Sequence, residues 1–238
     1  MNSKITCLAL FLLAGLSHLS AQAPPEEHKV QFRTLGWQIS TDDLYYDLKH
    51  HDTSMAVDDC RRSIFYDAPL PTDGPIVFYR FVTGPDNKKA REIVATVDIS
   101  SAGPKPLLLF MADPKVPKHY RVTAIDDDPK TFPFPSCRFV NLTGVKLHGT
   151  YGDQKFDIKG HDIQLIEPHL KSKGKPETRY TSVIRDLPEG PQLLYGNNWV
   201  VYPTNRTLVF IFTQDDNMEV MRVGDDANNY VKPPGHPK

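Results

Sequence analysis

Imidazole beside carboxylate is the first chemistry this sequence offers. His50-His51-Asp52 and His161-Asp162 place groups that can bind a transition metal or exchange protons next to one another. Both lie in matching heptapeptides: Tyr46-Asp47-Leu48-Lys49-His50-His51-Asp52 returns as Phe156-Asp157-Ile158-Lys159-Gly160-His161-Asp162. Neighbours on a strand point to opposite faces, so one copy presents His50 with Asp52, or His51 alone. That makes two ligands and not three. No H-E-x-x-H and no spaced Cys/His set completes a site, and the segments read as turns whose polar residues bond the local backbone.

Acidic clusters offer a second chemistry. Asp126, Asp127 and Asp128 follow the last strand of the first half of the chain, and Asp225 and Asp226 that of the second. Hard oxygen ligands at such junctions suit calcium, although the EF-hand spacing and its closing Glu are absent; the other reading is a solvated turn. Cys60 and Cys137 would be the only thiols left after export, which raises a disulfide closing a loop of about 78 residues and contributing on the order of 4 kcal/mol. Cys137 could instead share the buried face of Phe139. Trp37, following Gly36, is the ring placed to stack on a ligand such as a sugar, whereas Trp199 alternates with Val201 as a core residue does. No G-x-S-x-G elbow and no phosphate-cradling glycine loop appears. Asn141-Leu142-Thr143 and Asn205-Arg206-Thr207 fit the glycosylation pattern of a eukaryotic secretory pathway.

The elements that must position these residues are strands. Twenty-one prolines and fourteen glycines interrupt the chain, and short alternation recurs, as in Ile93, Ala95, Val97 and Ile99 or Tyr120, Val122 and Ala124. Thr41 to Lys49 could form a helix, but its partner around Phe156 is too short for one, so both copies are assigned to strands. Leu107-Leu108-Leu109-Phe110 returns as Leu208-Val209-Phe210-Ile211, and Arg121-Val122 as Arg222-Val223, both 101 residues on. These repeats predict an all-β fold of two tandem Ig-like β-sandwich modules related by duplication: 28–132, a stiff linker at 133–135, 136–230, and a disordered tail at 231–238. The first module would hold nine extra residues, in loops such as Ala68 to Pro75 or Gly84 to Lys89. The continuous apolar runs at Leu107 to Met111 and Leu208 to Phe212 need cover on both faces. Loops could supply it, or the modules could pack on each other or on a partner.

Arg138-Phe139-Val140-Asn141-Leu142-Thr143 and Arg206-Thr207-Leu208-Val209-Phe210 resemble the R-F-x-N-x-T and R-x-L-V-F strands of a group of uncharacterised exported bacterial β-sandwich proteins. The resemblance covers mainly the second module and implies fold and export, with no catalytic or binding residue to carry over.

Residues 1–23 read as a secretory signal peptide: Lys4, the apolar run Ile5 to Leu16, and cleavage after Ala21 or Ala23. The run is too short to span a bilayer. The net charge of -1 offers no pull toward nucleic acid or anionic lipid. The expectation is a periplasmic or extracellular protein without a membrane span. It would bind an envelope protein or glycan, or serve as structure, without catalysis and without a cofactor other than calcium. A homo-oligomer through the apolar strand faces stays open. An envelope hydrolase using His and Asp, and a carbohydrate-binding module, are the alternatives.

Overall fold

The computed structural model describes residues 30–69, 74–84, 86–171, 174–214 and 217–230. The expected leader at 1–23 and tail at 231–238 lie outside them. The fold is all-β, two sandwich modules in tandem. In the first, β1 (Gln31–Trp37), β4 (Tyr66–Asp67), β7 (Pro106–Ala112) and β8 (Tyr120–Asp126) form a sheet of order β4-β1-β7-β8. Facing it, β2 (Thr41–Leu48), β3 (His51–Val57), β5 (Ile76–Thr83) and β6 (Lys89–Val97) form the sheet β3-β2-β5-β6. Phe32, Leu44, Tyr46, Phe78, Leu108 and Phe110 fill the space between.

The second module repeats this order strand for strand. Its sheets are β12-β9-β15-β16 and β11-β10-β13-β14. They comprise β9 (Ser136–Asn141), β10 (Leu147–Tyr151), β11 (Gln154–Ile158), β12 (Ile163–Ile166), β13 (Glu177–Leu187), β14 (Gly190–Val201), β15 (Asn205–Gln214) and β16 (Asn217–Asp226), followed by a 3-10 turn at Ala227–Tyr230. Both modules join their first and seventh strands in parallel, Arg33 opposite Leu107 and Arg138 opposite Leu208. Both also carry a bulge at the same place, between Phe78 and Tyr79 and between Val183 and Ile184. A bulge conserved within a duplicated fold re-aims the side chains beyond it in both copies.

Strand pairing corrects part of the repeat read from sequence. Leu107 to Phe110 and Leu208 to Ile211 do occupy equivalent strands. Tyr46 to Asp52 crosses the β2–β3 turn, whereas Phe156 to Asp162 leaves β11 toward β12. The true counterpart of Tyr46 is Gly149, since Tyr46 stands opposite Phe78 and Gly149 opposite Val183. Arg121-Val122 fails as well: Leu108 faces Ala124 and Val209 faces Arg222, so Ala124 is the counterpart of Arg222. The extra length of the first module lies largely in the β3–β4 connection, 58–65 against 159–162, and the β6–β7 connection, 98–105 against 202–204. Thr41–Leu48 is a strand because Leu44 and Tyr46 are buried while Asp47 is exposed, a period of two.

The doubly covered strands show how the modules are joined. On β7, Leu108 and Phe110 face the first sandwich core, and Leu107 and Leu109 face the second module. On β15, Val209 and Ile211 face their own core, and Leu208, Phe210 and Phe212 face the first module. The shared core adds Leu35 and Ile125 from one side and Val140 and Val223 from the other. By strand register these are counterparts, so the modules meet through equivalent faces, as in an isologous dimer fused into one chain. The apolar strand faces through which a homo-oligomer stayed open pack on each other within the chain. Phe132, fully buried in the same core, ties the connection at 133–135 to the seam instead of leaving it a spacer.

Candidate functional site

At one end of the seam the acids considered for calcium meet arginines. Asp127 accepts from Arg33 at 2.7 Å and Arg62 at 3.1 Å; Asp225 accepts from Arg206 at 2.8 Å, Arg33 at 3.1 Å and the Tyr230 hydroxyl at 2.7 Å. Asp127 and Asp225 are counterparts by register, since Pro106 faces Asp126 and Thr207 faces Gly224. Asp225 is held well below the usual carboxylate range: burial opposes ionisation, and Arg62 and Arg33 override it. Three guanidinium groups thus face two carboxylates, and aromatic faces take up the excess charge, with Arg33 over Phe65 and Arg206 over Phe132 and Phe134. Asp126, Asp128 and Asp226 accept from the backbone N–H groups of Asp128, Lys130 and Asn228, as turn residues do. Asp127 and Asp225, each neutralised by arginines, are the two of these acids least suited to calcium. Among the described residues no group of three or more His, Cys, Asp or Glu side chains converges on a metal position.

His50 and His51 are neighbours at the β2–β3 turn, and His161 lies in the second module. His50 and His161 occupy left-handed turns and His51 opens β3, all three exposed. The His50 amide donates to Asp47 at 2.8 Å. Asp52 accepts from the Tyr79 hydroxyl and from Arg91, and the Arg91 guanidinium lies over the Tyr79 ring at 4.6 Å. Tyr45, Tyr79 and Phe81 pack together on this outer face, beside a cleft of about 550 Å³ lined by Asp47, Leu48, His50, Ile76 and Ile93. In the second module His148 and Asp186, 3.5 Å apart, take the places of Tyr45 and Phe81. The rings are therefore not demanded by the fold. Tyr79, almost fully buried, and Arg91 also line that cleft, while Tyr45 and Phe81 are half-buried.

A different cavity, of about 460 Å³, opens in the second module where the edge strands β14 and β16 part. Met218 and Val220 pack against the module core, and Arg222, two residues further in the same phase of β16, lines the cavity instead. Its guanidinium lies over the Trp199 ring at 5.0 Å, and among the described residues it pairs with no carboxylate. Ser136 and Thr207 supply hydroxyls, Asn198 and Asn205 amides, and Tyr151 a phenol. Burial pushes the Tyr151 pKa up, so that phenol stays protonated and able to donate. The first module closes this seam. Ala124 stands for Arg222, Leu48 for Tyr151 and Pro106 for Thr207, and Ile99, two residues past β6, is buried in the first sandwich core. Arg222 was missed in the sequence, although a charge in the core phase of a strand was the signal for it.

Trp37 lines a cavity of about 500 Å³ together with Gln38, Met111, Pro114 and Arg121. It is half-buried at the seam, edge-on to Phe212 at 4.7 Å, and its indole N–H donates to Gln214 at 2.8 Å. Of the two alternatives for the cysteines, the buried thiol is the one found: Cys137 is unbridged and fully buried with Phe139 in the second core, and Cys60 is free and exposed beside Asp59 and Met221. Burial raises both thiols, Cys137 the more. A thiol reagent applied to the non-reduced mature protein is expected to label Cys60 slowly and Cys137 only after denaturation; two unreactive thiols after denaturation would establish a bridge. Asn141, fully buried, donates to the Val145 and Lys159 carbonyls and accepts from Thr143, which leaves no amide for a glycan.

No known protein family and no curated protein matches the chain. Among solved structures, one match is a "putative cell adhesion protein" from Bacteroides uniformis. It is 10% identical, spans 86% of this chain and 100% of its own, and superposes with a TM-score of 0.21, too loosely to bear on function.

Proposed function

We propose that this chain is an exported cell-envelope protein that works by binding, its two modules joined as one rigid body. The observation that carries the reading is the contrast between duplicated seams: apolar and closed in the first module, open and lined by hydrogen-bonding groups in the second. A fold that needs no such cavity in one copy keeps it in the other at the expense of core. The segment 1–23 supports export, and among the described residues no helix is long and apolar enough to cross a membrane. The exposure of His50, His51 and His161, with no convergent set of three ligating side chains among the described residues, supports binding over hydrolysis. Fractionation of cells expressing the full chain, with N-terminal sequencing of the product, tests export; a cytoplasmic, unprocessed chain would refute it. Replacing His50, His51 and His161 by alanine is expected to change stability by less than about 0.5 kcal/mol each. A hydrolytic activity on envelope polymers, lost in any one of these variants, would replace the binding reading with the hydrolase.

A further inference from the structure

Resting on that binding reading, we infer that the cavity between β14 and β16 is a site for a small polyhydroxylated carboxylate, such as a uronic-acid sugar, with Arg222 taking the carboxylate. The volume suits one or two sugar rings. A guanidinium free of acidic partners recognises a carboxylate with two parallel N–H···O bonds, and here the indole of Trp199 holds its plane from one side. The remaining polar groups, from Ser136, Tyr151, Asn198, Asn205 and Thr207, are neutral donors and acceptors of the kind ring hydroxyls need. Ser136 already donates to the Pro133 carbonyl and Asn205 accepts from Thr204, so Tyr151, Asn198 and Thr207 are the groups left to meet ring hydroxyls, whereas a bare inorganic anion would use only Arg222. The outer face around Tyr79 offers the opposite case: its Arg91 is already bonded to Asp52.

The test is titration of the mature protein with galacturonate, its short oligomers, galactose and acetate, followed by calorimetry and by Trp199 fluorescence in a Trp37→Phe background. Galacturonate or its oligomers should bind, galactose at least tenfold more weakly, and acetate weakest. Arg222→Gln should weaken uronate binding at least tenfold while leaving galactose binding and the unfolding midpoint unchanged, and Tyr151→Phe should weaken both sugars. Equal affinity for galactose and galacturonate, or uronate binding unaltered by Arg222→Gln, would overturn the assignment of Arg222. Absence of binding by every sugar acid would overturn the site and leave the binding reading standing. Release of a product from the bound oligomer would uphold the site and overturn the non-catalytic reading.

Discussion

Arg206→Ala is expected to destabilise the protein by about 3–5 kcal/mol, among the largest effects of any single change. The side chain is fully buried. It donates to Asp225, to the Phe132 carbonyl at 2.7 Å, to the Asp127 carbonyl at 2.9 Å and to the Tyr230 hydroxyl at 2.6 Å. Alanine would leave two buried carbonyls unpaired and remove the cation sandwiched between Phe132 and Phe134. Lysine should recover little, because an ammonium cannot reproduce the fork that reaches these acceptors. The exposed pair of Arg61 with Asp58 is the control, at about 0–1 kcal/mol for Arg61→Ala. Urea unfolding measures both, and a loss below about 1 kcal/mol for Arg206→Ala would show that the cluster does not hold the seam. The same cluster sets an acid limit. Asp225 is depressed on folding, so its contribution is complete above its unfolded pKa, about 4, and is lost as pH falls toward the lower folded value. Wild-type stability should drop below about pH 4, and that drop should shrink in Asp225→Asn.

Strand content, two-module organisation and the doubly covered runs were legible because each rests on local pattern. Leu107 to Phe110 and Leu208 to Ile211 are apolar in both phases, which only a strand between two packed layers requires. The heptapeptide repeat misled because its likeness is one of turn chemistry: in both copies a strand runs into a left-handed turn, at His50 within a hairpin and at His161 in a crossing between sheets. The assignment of Thr41–Leu48 as strand was therefore right for a reason that does not hold; burial of Leu44 and Tyr46 decides it. The acids at Asp127 and Asp225 looked like metal ligands because their partners Arg33, Arg62 and Arg206 are distant in sequence. Nothing local connects Arg33 to a residue 192 positions away. Arg222 escaped notice because it entered only as half of the match to Arg121, which register does not support.

Phe210→Ala tests whether the modules fold as one. Phe210 is fully buried in the shared core, with Leu107, Leu109 and Leu208, and its removal should cost about 3–5 kcal/mol. Its counterpart by register, Leu109, should cost about 2–5 kcal/mol as alanine. The diagnostic quantity is cooperativity. Trp37 lies at the seam against Phe212, and Trp199 lies in the second sandwich core beside Phe139, so single-tryptophan variants report two regions. In the parent protein both reporters should follow one urea transition, because neither module can expose its half of the shared core without stripping cover from the other. In Phe210→Ala the coupling weakens while each sandwich keeps its own core. The transitions should then separate, with a smaller slope for each. Separate transitions in the parent would show that the seam is a contact between independent domains, and coincident transitions in Phe210→Ala would place the coupling in the Arg206 cluster instead of the apolar core.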